Sequence, residues 1–214
     1  SELSAQLKAV APLMAGASDV EQHQYLRLLT GVLLESDPAR VLRLTDIKPV
    51  PPILIRIRAR AMLQLGEASA AASLRQAALQ RRDLGRSRRL GLQQALVTAL
   101  INSDQAEAAV AVSQDMIDKA RPLLGADNRA MLGFWNTRAN ALASVGKGVE
   151  ALRILDMLLE RPELAPSVRQ SLELNRLLFG SAVSEPDSQT GELLERYWPR
   201  RVKLGLVALR IVLL

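Results

Sequence analysis

The 214-residue chain has no cysteine and a single histidine, His23. Without thiols there is no disulfide framework and no thiolate metal site. One imidazole cannot anchor a His-rich metal centre. The residues therefore imply no cofactor and no metal. The missing cysteine does not fix the compartment, since reducing cytosol and oxidising periplasm both tolerate it. Aromatic residues are also scarce, at 3% of the chain, so the aromatic and β-branched enrichment of strands is absent. The apolar 49% is mostly Leu, Ala, Val and Ile, and Ala and Leu are strong helix formers. An all-α fold is expected.

Catalytic signatures are missing as well. There is no Gly-rich phosphate loop, no Gly-x-Ser-x-Gly elbow, no His-Glu-x-x-His and no Cys/His pair. His23, in "VEQHQYL", reads as a surface or helix-packing residue, and Glu160 and Glu163 read as solvated carboxylates near a helix end. A non-enzymatic chain is expected.

The net charge is +6, carried by many Arg and few Lys. A basic balance favours an acidic protein surface, an anionic membrane or nucleic acid; its plainest source is solvated charge on helix faces. The opening "SELSAQLKAV" lacks a basic stretch followed by an apolar run, so it is not a signal peptide. The absence of a starting Met suggests a chain processed or cut from a longer one. The Ala/Leu/Arg-rich style suggests a bacterial protein.

Apolar residues recur at helical spacing almost throughout, with breaks at short intervals. "ASD" at 17–19 offers an N-cap, Asp37 another with Pro38 at the first helical position, and "KPVPP" at 48–52 a stop and a new start. Further breaks fall at Gly66, at "RRDLGRS", at "NSD" 102–104, at "LLGADN" and at "RPELAP". About ten or eleven helices result, mostly paired across short links that make neighbours antiparallel.

The pairs carry a recurring pattern. Around Gly146, Trp135 lies eleven residues before, Ala139 seven and Leu142 four; Ala151, Leu155 and Leu158 lie five, nine and twelve after, and Pro162 closes the unit. Around Gly66 the matching residues are Ile55, Ala59, Met62, Ala71 and Ala78. Around Ser103, in the place of the turn Gly, Leu96, Ala108 and Met116 lie near them; around Ser36 only "SDPARVLRL" fits. Small residues let two helices approach closely and large ones fill the gaps. This pattern resembles the tetratricopeptide repeat, a helix–turn–helix family, over roughly Val50 to Pro166. The turn positions are 30, 37 and 43 residues apart, which loses the family's even spacing. Arg58 and Arg138 stand where the family usually has Leu. The resemblance implies a right-handed α-solenoid of antiparallel helix pairs. The boundaries expected are a repeat domain over 1–180, a linker over 181–191 and a C-terminal helix over 192–214, either a solenoid cap or membrane-proximal.

The family is a peptide- and protein-binding scaffold, with residues one and five places after the Trp-like position lining a concave groove. Carried onto this sequence, these are Arg56 and Arg60, Gln93 and Val97, and Asn136 and Asn140. Guanidinium forks and amides there would grip carboxylates and an extended backbone. Some members hold a C-terminal carboxylate with Lys and Asn at such places; Arg stands for Lys here, so that activity is not implied.

Two further stretches stand out. "RRDLGRSRR" places Arg81, Arg82, Arg86, Arg88 and Arg89 between two helices. They suit phosphates, but no aromatic is interleaved for base stacking. A solvated connector or a patch for an acidic protein is the favoured reading over nucleic acid. "RYWPRRVKLGLVALRIVLL" sets Tyr197 and Trp198 beside Arg200, Arg201 and Lys203 before an apolar run broken by Arg210. Aromatic and basic residues before apolar ones mark a membrane boundary, yet the run is shorter than the roughly 20 residues of a span. It reads as a docking or capping helix first, and as the start of a transmembrane helix second. The expected location is cytoplasmic, with membrane association through the C-terminus as a variant and the periplasm left open. Together these readings suggest a protein-binding adaptor in a bacterial secretion, export or signalling assembly. The alternatives are a sensory or regulatory module of a larger transcription or signalling protein and, third, a nucleic-acid-binding helical repeat.

Overall fold

The computed structural model describes residues 14, 16–126 and 128–183. Tyr197, Trp198, Arg200, Arg201, Lys203 and the expected helix over 192–214 lie outside the described residues. Among the described residues there are nine α-helices and no strand. By its packing the chain divides into two compact units, one up to Ala99 and one from Leu100. The division falls inside the stretch that the sequence reads as one repeat domain.

The first unit opens with α1 (Asp19–Leu33). Its cap is Ser18, within the "ASD" stretch that the sequence offers. The Glu21 amide donates to Ser18 Oγ, and the Ser18 amide and hydroxyl donate to Glu21 Oε2 at 2.9 and 2.6 Å, a reciprocal capping box. In α2 (Pro38–Leu44), Asp37 caps as the sequence suggests, accepting from the Arg40 amide at 2.9 Å. Then come α3 (Pro52–Gln64), entered through Pro51 and Pro52, and α4 (Ala68–Leu79). The fifth helix, α5 (Arg86–Asn102), straddles the division. Leu34, Val41 and Ala61 bury against Leu33, Leu42 and Ile57, which joins α1, α2 and α3. Ile55, Ala78, Leu84 and Leu92 bury with Val50, Leu74 and Leu79, which joins α3, α4 and α5.

In the second unit, α6 (Ala106–Leu124) packs on α7 (Arg129–Ser144), α7 on α8 (Gly148–Leu159), and α8 on α9 (Pro166–Val183). The last of these continues into the stretch 181–191 expected as linker. Ala139, Leu142, Ala151, Leu155, Leu158, Leu172, Leu178 and Phe179 form the buried cluster. Each fully buried Leu contributes about 1.5–3 kcal/mol.

One turn recurs. Gly66 has φ +81° and Gly146 φ +79°, and the Glu67 and Lys147 amides reach back to Met62 O at 2.8 Å and Leu142 O at 3.0 Å. The third instance is centred on Asp104, with φ +58° and the Gln105 amide bonded to Leu100 O at 2.9 Å. The expected centre there, Ser103, is one residue early. Asp tolerates the left-handed region better than most side chains, so an L-residue can replace the glycine. Counted from these three centres the burial agrees. Five residues before lie Ala61, Ala99 and Ala141; seven before lie Ala59, Val97 and Ala139; five after lie Ala71, Ala109 and Ala151; all are 0% exposed. The α1–α2 junction closes differently, with both Ser36 and Asp37 amides donating to Leu33 O.

Candidate functional site

Three arginines on α3 have two different fates. Arg58 is half-buried. Its Nη1 donates to Leu42 O at 2.9 Å and to Thr45 Oγ1 at 3.3 Å, and its Nη2 meets Asp46 Oδ1 at 3.0 Å. It satisfies a carbonyl that the end of α2 leaves open. Arg138 on α7 also reaches a neighbouring helix, donating to Val110 O at 3.3 Å and Ser113 Oγ at 3.5 Å on α6. Helical geometry sends Arg56 and Arg60 the other way, two residues to either side of Arg58 at 100° per residue. Both are exposed, and neither makes a hydrogen bond or ion pair with the described residues. Two like charges at i, i+4 oppose the helix by a few tenths of a kcal/mol. α3 thus holds a pair of guanidinium forks available to a carboxylate-bearing ligand.

The equivalent places on α7 are Asn136 and Asn140, both half-buried. Asn136 Oδ1 accepts from Asn175 Nδ2 at 3.0 Å, and Asn175 on α9 is buried. The sequence reading missed Asn175; its distance of 39 residues from Asn136, near the spacing between turns, was the available signal. On α5 the one-residue shift to Asp104 matters. Gln93 is only 5% exposed and Val97 is fully buried, so both face the interior rather than a groove. The places one and five after the Trp-like position become Gln94, half-buried, and Thr98, exposed. Trp135 itself is half-buried against the cluster of the second unit, with the Arg121 guanidinium 5.7 Å from its ring centroid.

The five arginines of the connector between α4 and α5 also separate. Arg81 is bidentate to Asp83, at 3.0 and 2.7 Å, and its Nη1 donates to Val50 O at 2.8 Å, just ahead of α3. That bonding raises the Arg81 pKa and lowers that of Asp83, to which the Arg88 charge adds a smaller push. Arg89 donates through Nη1 to Leu79 O and through Nη2 to Arg81 O, at 2.9 Å for the latter. Arg82, Arg86 and Arg88 are exposed and make no hydrogen bond or salt bridge with the described residues.

Sequence reading also missed Arg75 on α4. It is 3% exposed, donates from Nη1 to Ala95 O at 2.9 Å, and has no partner at Nε. Burial pushes its pKa down to about 10. No carboxylate among the described residues meets it, so it stands as an isolated interior cation, which is costly.

His23 is half-buried on α1, and Glu160 and Glu163 are exposed. Among the described residues no three His, Asp or Glu side chains gather as metal ligands, and no helix is long and apolar enough to cross a membrane. Compared with known proteins, the chain matches no family model and no curated protein.

Proposed function

We propose that the chain is a non-enzymatic adaptor built of divergent tetratricopeptide-like helix pairs, and that it binds a partner protein or peptide through the outer face of α3. The observation that carries this reading is the contrast along α3. Arg58 is committed to Leu42, Thr45 and Asp46, whereas Arg56 and Arg60 are presented to solvent without a partner among the described residues. The family resemblance puts those two positions, and Asn136 and Asn140, on the ligand side of the repeat. Guanidiniums and amides there suit carboxylates and the polar backbone of an extended segment.

The test reverses the charge. Arg56→Glu with Arg60→Glu leaves helicity and melting temperature unchanged, because both side chains are exposed. It removes a partner that the unaltered protein retains in a pull-down from its native cell. Retention of the same partners at the same yield by the doubly reversed chain defeats the reading.

A further inference from the structure

The connector Leu79–Leu92 has a counterpart 80 residues later, Leu159–Leu172. Both leave a helix through a one-turn bend and enter the next helix at the same place, Arg86 in one and Pro166 in the other. Both are braced alike. Arg169 donates to Leu159 O at 3.2 Å and Arg161 O at 3.1 Å, as Arg89 does to Leu79 O and Arg81 O. Arg161 reaches Ala126 O at 3.3 Å, ahead of α7, as Arg81 reaches Val50 O ahead of α3. Leu84 and Leu164 anchor the middle of each loop to its own cluster.

The second connector is therefore an internal control for the first. It shows which residues this architecture needs, and they are the two bracing arginines and the leucine. At the three outward places it has Pro162, Pro166 and Val168, all exposed or partly so; the first has Arg82, Arg86 and Arg88, all exposed. The loop geometry does not call for these three cations. Two of them sit in the first turn of α5, where a cation opposes the helix dipole; Pro166 at the matching place is a favoured first helical residue. The charge imbalance of the chain has the same address. Residues 14–99 carry thirteen basic and seven acidic side chains, and residues 100–183 carry nine and ten.

The geometry points to the Arg82–Arg86–Arg88 face as a second docking surface, one that receives an Asp/Glu-rich segment of a protein partner. Guanidinium forks match carboxylates two bonds at a time. A nucleic acid fits less well. No aromatic stands in 79–92 to stack a base, and Asp83, more than half exposed, puts a carboxylate amid the cations. Because Arg81 and Arg89 brace the loop from within, the three free arginines stand on a fixed backbone frame, and binding has only their side chains to order. This surface is independent of the one on α3, so either can fail alone.

The experiment measures fluorescence anisotropy of a labelled oligoglutamate peptide with the full chain at low ionic strength. Arg82→Gln/Arg86→Gln/Arg88→Gln is expected to weaken binding about tenfold or more, because three guanidinium–carboxylate pairs can no longer form. Arg27→Gln/Arg40→Gln, which removes two exposed charges on α1 and α2, away from both surfaces, is expected to change it less than about threefold. In the triply substituted background, Pro162→Arg/Pro166→Arg/Val168→Arg restores binding, because the second connector supplies the same frame. The proposal is overturned by failure of the unaltered chain to bind the peptide. It is equally overturned if the α1–α2 control pair weakens binding as much as the triple does, if the transplanted arginines restore nothing, or if a generic DNA duplex binds more tightly than the peptide at equal salt.

Discussion

The helix pairs α3–α4 and α7–α8 share a turn, a set of fully buried alanines and a pair of bracing arginines, yet at one interior place only the first buries a charge. Nine residues after the turn, the first pair buries Arg75 and the second buries Leu155. The shared features lie where helices come closest, at Ala61 and Ala141 or Ala71 and Ala151, and where a backbone carbonyl would otherwise go unmet. The differing one lies farther along, where a long side chain can reach out to Ala95 O. Close approach fixes residue size; distance from the turn leaves chemistry open.

That contrast can be broken by exchanging the two residues. Leu155→Arg is expected to cost about 3–5 kcal/mol in urea unfolding, because it places a charge in a cluster with no counter-ion. An equal or smaller loss than a Leu155→Ala control would show that the second pair accommodates a cation as the first does. Arg75→Leu goes the other way and is expected to gain about 1–3 kcal/mol, since an isolated interior charge is replaced by an apolar side chain.

The gain also depends on pH in a stated direction. Burial pushes the folded-state pKa of Arg75 from its ordinary value down to about 10. Between those values the unfolded chain holds a proton that the folded one has released, so the native protein becomes more stable as pH rises through that window. The advantage of Arg75→Leu therefore narrows from about pH 9 to pH 11; a constant difference across that range would mean the guanidinium is not desolvated.

The bracing arginines sharpen the likeness of the pairs. Arg89→Ala and Arg169→Ala are each expected to cost about 1–3 kcal/mol, by leaving two backbone carbonyls unmet. Similar losses in the two variants confirm equivalent roles, and a loss in one alone breaks the equivalence. The smallest effects lie at the turns. Gly146→Ala should destabilise by about 1–2 kcal/mol through its positive φ, whereas Asp104→Gly should be neutral or gain a few tenths of a kcal/mol. Thermal melts of both variants decide it; an Asp104→Gly protein that melts well below the unaltered one would mean the Asp side chain itself supports the turn.

The helices and two of the three turns were legible in the sequence, because apolar spacing and a lone glycine are local signals. Asp104 was not, since Ser103 and Asp104 both suit a turn and only backbone conformation separates them. On a helix a slip of one residue rotates the assignment by 100°, which is why Gln93 and Val97 were expected outside and lie inside. The cap of α1 was legible as a stretch but not as a residue, with Ser18 and Asp19 both able to cap. Of the candidate site, the exposure of Arg56 and Arg60 was legible. The site was not legible where a charged side chain has a remote partner. Nothing near Arg58, Arg81 or Arg138 in the sequence announces a carbonyl 16 to 31 residues away. The 80-residue correspondence is hidden from a search in steps of one helix pair, because the likeness in connectors spans two.

The two braces have an implication for which substitutions the chain can absorb. Arg89 and Arg169 each hold two carbonyls with two separate prongs of one planar head, and a lysine ammonium, compact on its flexible stem, does not reproduce that span. Swapping one cation for the other is a mild change on most of this surface, but at these two joints it would leave the charge in place and undo the fastening. The same restriction applies to methyl groups added to the guanidinium nitrogens, which preserve the charge while blocking the donors.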